Sequence, residues 1–278
     1  MLDWAQGHLT SNGGSLRYLR SGGDRPPLVF VHGFTDNALY FTRTADALAA
    51  TWDVIAYDAR GHGRSDRALD RFDDETRVAD LVAVVERLGL VRPAMIGHSM
   101  GAATIASAIA RHRGLSRGAV LEDPAWSEPT DAEILDRREM RARYFADWKR
   151  WVADLQGKPR AESLAQRLAD EPLWSPVDVE VSLNARLEFQ LDLFDHFPVE
   201  RSPWRPLVPH FDCPVLLLLG GDRARGAIVS RADAEEATTL NPLVTWVQIP
   251  GAGHHVKYDR FDEYLDEVST FLHVLRDR

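Results

Sequence analysis

At 278 residues, 45% hydrophobic and 27% charged, the chain has the composition of a globular protein with room for a large core. Its 33 Lys and Arg against 42 Asp and Glu give a formal charge of −9, and the arginines are scattered rather than gathered into a stripe, so no nucleic-acid partner is expected. The longest strongly apolar run, "PVLLLLGG" at 214–221, is far short of the roughly 20 residues that span a bilayer. "MLDWAQGHLT" also lacks the charged start and apolar stretch of a signal peptide, so a cytoplasmic protein with no membrane partner is expected. Cys213, the one cysteine, excludes an internal disulfide and a thiolate-cluster metal site, and its place at the start of an apolar strand reads as a buried structural thiol.

In chain order, "HLTSNGGSLRYLRSG" at 8–22 reads as two short strands joined by an Asn-Gly turn, an antiparallel edge. "LVFVHG" (28–33), "DVIAYD" (53–58), "AMIGHS" (94–99), "GAVLED" (118–123), "VLLLLGG" (215–221) and "VTWVQIP" (244–250) are near-continuous apolar runs, as suits strands covered on both faces. Between them, "DDETRVADLVAVVERLGL" (73–90) places Val78, Leu81, Val82, Val85 and Leu88 at helical spacing, with Asp73 or Asp74 to cap the start and Gly89 to end it. Strands alternating with helices predict an α/β fold: a mostly parallel, doubly wound sheet with helices on both faces. From about Pro124 to Pro206 the alternation stops and amphipathic helical sequence replaces it. The chain thus divides into a core, 1–123 and 207–278, and an inserted helical cap, 124–206. Five of the eight tryptophans lie in that insertion, among them Trp126, Trp148 and Trp151, which are expected to line an apolar cleft as well as to pack the cap onto the core.

The strongest local signal is "IGHSMGAAT" at 96–104. A serine between small residues, after a strand and before a helix, sits on a turn sharp enough to push its hydroxyl outward, with the helix N-terminus beneath it to favour negative charge. The lysine and longer glycine spacing of a phosphate-binding loop are missing. "VHGF" at 31–34 ends an earlier strand with a glycine that lets the chain turn close to Ser99, so the backbone N–H groups of Phe34 and Met100 are candidates for an oxyanion hole. In "YDARGHGRSD" at 57–66, Asp58, Arg60 and His62 read as a bracing loop rather than as catalytic groups. "GAGHHVKYD" at 251–259 sets two histidines before the last helix, open to three readings: exposed filler, a metal clamp, or one base beside a bystander. The clamp has least support, since no third ligand shows the spacing of a zinc helix motif.

The motifs "HGF", "YDARGHGRSD", "GHSMG" and "GAGH", in that order, make the chain resemble the α/β-hydrolase family over about residues 10–123 and 207–278. The resemblance implies a Ser, acid, His order along the chain, with Ser99 as nucleophile, His254 as base and no cofactor. His255 is then a bystander or a pocket wall. The family usually keeps its acid after a late strand, which picks Asp222 at the end of "VLLLLGG", although "RARGAIVS" departs from the commoner continuation. The rival is "LEDP", where Glu122 or Asp123 ends the previous strand. A serine at the elbow speaks against dehalogenase and epoxide-hydrolase members, which use aspartate there. The implied activity is hydrolysis of a carboxylic ester or lactone of a hydrophobic small molecule. Carbon–carbon bond hydrolase, thioesterase, amidase and perhydrolase chemistry with the same residues stay open, as does a ligand-binding protein on the same scaffold. Monomer and homodimer are both compatible with the sequence.

Overall fold

The computed structural model describes residues 4–67, 72–126, 134–197 and 203–276. Asn12 and Gly13 have φ of 45° and 78°, the pair of positive angles that a two-residue hairpin turn with the right twist requires. Strands β1 (Ala5–Ser11) and β2 (Gly14–Arg20) therefore pair antiparallel, with Leu9 opposite Leu16. The chain continues through β3 (Pro27–Val31), α1 (Thr42–Leu48), β4 (Asp53–Tyr57), α2 (Asp74–Arg87), β5 (Ala94–His98), α3 (Met100–Arg111) and β6 (Gly118–Glu122). Four helices follow, α4 (Ile134–Gly157), α5 (Arg160–Asp170), α6 (Pro176–Glu188) and α7 (Leu193–His196). The chain then closes with β7 (Val215–Gly220), α8 (Arg231–Leu240), β8 (Val244–Ile249), α9 (Val256–Asp259) and α10 (Phe261–Arg276).

The eight strands form one sheet in the order β1-β2-β4-β3-β5-β6-β7-β8. β2 joins β4 antiparallel, and every pairing from β4 onward is parallel. Strands β4, β5, β6 and β7 are buried along their whole length, which is why their sequences read as unbroken apolar runs rather than alternating ones. Two apolar cores result, one on each face: α2 and α3 close the first through Leu81, Val84, Ile105 and Ile109, and α10 closes the second through Tyr264, Val268 and Leu272.

The helix boundaries follow local chemistry. The Asp73 side chain accepts from Thr76 N–H at 2.9 Å to start α2, and Gly89, at φ 63°, lets the chain leave it. Between β6 and β7 the described residues hold only helices, as the break in alternation predicted; residues 127–133 and 198–202 of that insertion lie outside the described ones. Cys213 is buried, and burial pushes its thiol up to about 12, as befits a structural residue.

Candidate active site

Ser99 joins β5 to α3 with φ 51° and ψ −114°, a conformation unfavourable for a residue bearing a Cβ. Two glycines make the turn possible. A Cβ on Gly101 would stand 2.0 Å from the Val31 carbonyl oxygen, and one on Gly97 would stand 2.7 Å from the Ala102 nitrogen. The close approach at Gly101 also draws the end of β3, and with it the Gly33-Phe34 turn, against the start of α3. Ser99 is half-buried and lines a cavity of about 770 Å³.

His254 lies in the loop after β8, where a Cβ on Gly253 would stand 2.4 Å from the Arg225 carbonyl oxygen and the His254 N–H donates to that same oxygen at 3.1 Å. Its ring Nε2 is 2.9 Å from Ser99 Oγ and its Nδ1 is 2.6 Å from Asp123 Oδ2. An ionised carboxylate only accepts, so the ring carries its proton on Nδ1 and leaves Nε2 to accept from the hydroxyl. The Asp123 carboxylate is fully buried and also accepts from Ile228 N–H at 2.8 Å and Val229 N–H at 3.0 Å, so its position is set from two sides.

The carboxylate facing His254 is thus Asp123 and not Asp222, the residue favoured on sequence. Asp222 Oδ1 instead accepts from the Ala224 and Arg225 N–H groups at 2.9 and 3.3 Å, folding the turn that follows β7. Asp123 leaves β6 with φ 37°, and β6 is the immediate neighbour of β5 in the sheet whereas β7 is one strand further from Ser99. Glu122, the other rival, points away: its Oε1 accepts from Lys257 N–H at 2.9 Å. Consecutive residues at a strand end face opposite sides, so only one of the two acids can reach the histidine.

Residues 26–261 match the family model described as alpha/beta hydrolase fold. The chain belongs to the α/β-hydrolase family. Among characterised relatives, this α/β-hydrolase is 27% identical to a 2-(acetamidomethylene)succinate hydrolase of Mesorhizobium japonicum, over 91% of this chain and 90% of that one. It is also 27% identical to an N-formylmaleamate deformylase of Pseudomonas putida, over 96% of both chains. In fold it resembles the crystal structure of an enol-lactonase from Burkholderia xenovorans, with a TM-score of 0.73 at 21% identity over 96% of this chain and 99% of that one.

Around the Ser99–His254–Asp123 line, this α/β-hydrolase packs further buried polar groups. His255 lines the same cavity, with Nδ1 3.1 Å from the Tyr40 hydroxyl, which makes it a pocket wall. Burial and the neighbouring His98 and His254 rings hold His255 well below the usual histidine range. Asp36, His98 and His255 bring one donor atom each within 4.8 Å of one another, but a cation is already beside them: Arg186 Nη1 lies 3.7 Å from Asp36 Oδ1. Asp58 accepts from Arg17, Ala38 N–H and Arg64 N–H, while His62 Nδ1 donates to the Arg60 carbonyl, so the 57–66 loop braces the site from behind.

Phe34, Met100, Trp148 and Trp151 line the cavity with Ser99, whereas Trp126 does not and instead stacks on Trp204 with ring centroids 5.1 Å apart. The tertiary fold decides between these tryptophans: Trp148 and Trp151 are on the α4 helix, Trp126 on the segment just after β6. The Phe34 ring is the hub of the apolar wall, meeting Phe145, Trp148, Phe189, Phe194 and Phe197 at 4.2–6.1 Å. Sequence reasoning missed the cationic lining, Arg167, Arg186 and Arg225 among it, because these residues are far apart along the chain and each reads as an ordinary charged position.

Proposed function

We propose that the protein is a serine hydrolase that cleaves a carboxylic ester or lactone of a small, largely apolar molecule through an acyl-enzyme. The observation that carries this reading is the continuous hydrogen-bonded line from Ser99 Oγ through His254 to Asp123, opening onto an aromatic-walled cavity. His254 Nε2 takes the hydroxyl proton as Ser99 attacks the carbonyl carbon, and Asp123 stabilises the imidazolium that forms. The backbone N–H groups of Phe34 and Met100 hold the oxyanion, a role supported by the tight contact of α3 with the end of β3. His254 then protonates the leaving alcohol and activates the water that releases the acid. No cofactor enters these steps. The helices between β6 and β7 act as a cap that supplies the aromatic wall, and the partner is a small molecule.

A second reading, hydrolysis of an N-acyl bond by the same residues, is favoured by the deformylase relative, which matches over nearly the whole chain. Labelling with a fluorophosphonate probe tests both: an adduct on Ser99 by mass, absent from Ser99→Ala, is the expected result. No adduct, together with no turnover of any ester, lactone or N-acyl compound in a graded panel, would leave a ligand-binding protein instead. Relative rates across that panel separate the ester from the N-acyl reading.

A further inference from the structure

Buried guanidinium groups need acceptors, because removing their charge from water without compensation is costly. Arg167 and Arg186 are only 5% and 4% exposed, line the cavity that holds Ser99, and both lie against the Trp151 ring, with guanidinium carbons 5.1 and 5.4 Å from its centroid. Their protein partners leave them incompletely satisfied. Arg167 donates to Glu171 Oε1 at 3.1 Å and meets Asp170 only at 3.8 Å; Arg186 donates to the Ser182 carbonyl at 2.9 Å and to its hydroxyl, and meets Asp36 only at 3.7 Å. Neither Nε–H has an acceptor, and neither oxygen of the buried Asp36 has a hydrogen-bond donor. Glu171 is further shared with Arg225, whose main partner is Asp259 at 2.6 Å.

Two cations so placed repel each other, and burial together with the neighbouring Arg186 lowers the Arg167 guanidinium from its ordinary range. Among the described residues no carboxylate stands at hydrogen-bonding distance from Arg186, and the one that does from Arg167, Glu171, is shared with Arg225, so acceptors for both are wanting. A planar anion in the cavity supplies the missing acceptors, since the guanidinium fork matches a carboxylate in two parallel hydrogen bonds. Glu171 and Asp36 match the two positive charges one for one, so what the pair lacks is hydrogen-bond acceptors rather than counter-charge, which suits a single carboxylate rather than two.

Resting on the hydrolase reading above, we infer that the substrate carries a free carboxylate at a distance from its scissile bond, and that Arg167 and Arg186 seat it. The apolar wall around Phe34, Phe145 and Trp148 then holds the hydrocarbon part, so the substrate class is a half-ester, or the N-acyl analogue, of an acid with a second carboxyl group.

The test measures kcat/KM of the full chain for the monomethyl esters of dicarboxylic acids from malonic to adipic, each paired with a neutral isostere bearing isopropyl in place of the free carboxylate. At the best-fitting length the anionic ester is expected to exceed its isostere at least tenfold, the scale of a hydrogen bond to a charged group. That ratio is expected to fall about tenfold or more in Arg167→Gln and in Arg186→Gln. A neutral preference at every length, or a ratio unchanged in both variants, overturns the inference. Because either variant could lose its fold, calorimetric titration of the unmodified protein with succinate, glutarate and adipate gives an independent reading: saturable binding of one of them supports the seat, and no binding of any overturns it. A Ser99 adduct without carboxylate preference sinks this inference and leaves the hydrolase reading standing; carboxylate binding without adduct or turnover does the reverse.

Discussion

Asp123 holds His254 from below and is itself held by the Ile228 and Val229 N–H groups, so the ring's tautomer depends on it. Asp123→Asn would present an amide where Nδ1–H needs an acceptor, and kcat toward the best ester is expected to fall by about 10⁴, the size of the loss in the worked serine-protease case. Asp222→Asn keeps an oxygen to accept from Ala224 and Arg225, so its kcat is expected within about tenfold of the parent. Steady-state rates of the two variants decide the matter, and the opposite ranking would hand the acid's role to Asp222. Ser99 was marked in the sequence by Gly97 and Gly101 on either side of it, and His254 by the resemblance of Gly253-His254 to the family's glycine-then-histidine loop. The acid was not, because "LEDP" and "LLGGD" are both acidic strand ends, and which one faces the histidine depends on strand order in the sheet.

At the scale of elements, the site exists because α3 is pressed onto the ends of β3 and β5. Gly101→Ala would force a Cβ to within 2.0 Å of the Val31 carbonyl oxygen, which must push the helix away. A cost of about 1–3 kcal/mol, typical of overpacking, is expected in denaturant unfolding, together with a loss of ester turnover as Met100 moves. Gly157, at the end of α4, has nothing within 4 Å of where a Cβ would stand. Gly157→Ala is therefore expected to leave activity intact and to be neutral or stabilising by up to about 1 kcal/mol. Equal destabilisation by the two substitutions would contradict the account of the elbow. The elements themselves were well marked, since the parallel strands are buried on both faces and the helices carry caps such as Asp73. The aromatics between β6 and β7 were harder to sort: their apolar character shows that a tryptophan is to be buried, not whether it meets the core, as Trp126 does, or the cavity, as Trp148 does.

For the whole molecule, the buried histidines set the acid limit. Burial, followed by the nearby His32, lowers His62 to about 3; burial, despite the opposing carboxylate of Asp36 and with a contribution from His254, lowers His98 to about 4. Unfolded histidine titrates near 6.5. Between the unfolded and folded values the unfolded chain binds more protons, so these groups leave stability undiminished above about 6.5 and erode it as pH falls from there toward 3. The melting temperature is expected to fall with acidification from about pH 6.5, each histidine contributing about 1.4 kcal/mol per pH unit at full slope. In His62→Gln the slope between pH 6 and 4 should shrink by about one proton's worth; a slope unchanged by that substitution would show that other groups govern acid unfolding.

The sequence by itself determined the α/β architecture, the antiparallel edge and the run of helices between β6 and β7, because these follow from local periodicity and an Asn-Gly turn; it singled out Ser99 by its flanking glycines and His254 through the family resemblance. Only the tertiary structure decided that Asp123 stands behind His254, that Trp126 leaves the cavity wall to Trp148 and Trp151, and that arginines scattered along the chain meet beside Ser99. The physical reason is that each of these is a contact between residues distant in sequence. Strand order and helix packing determine such contacts, and the composition of a single segment carries no trace of them.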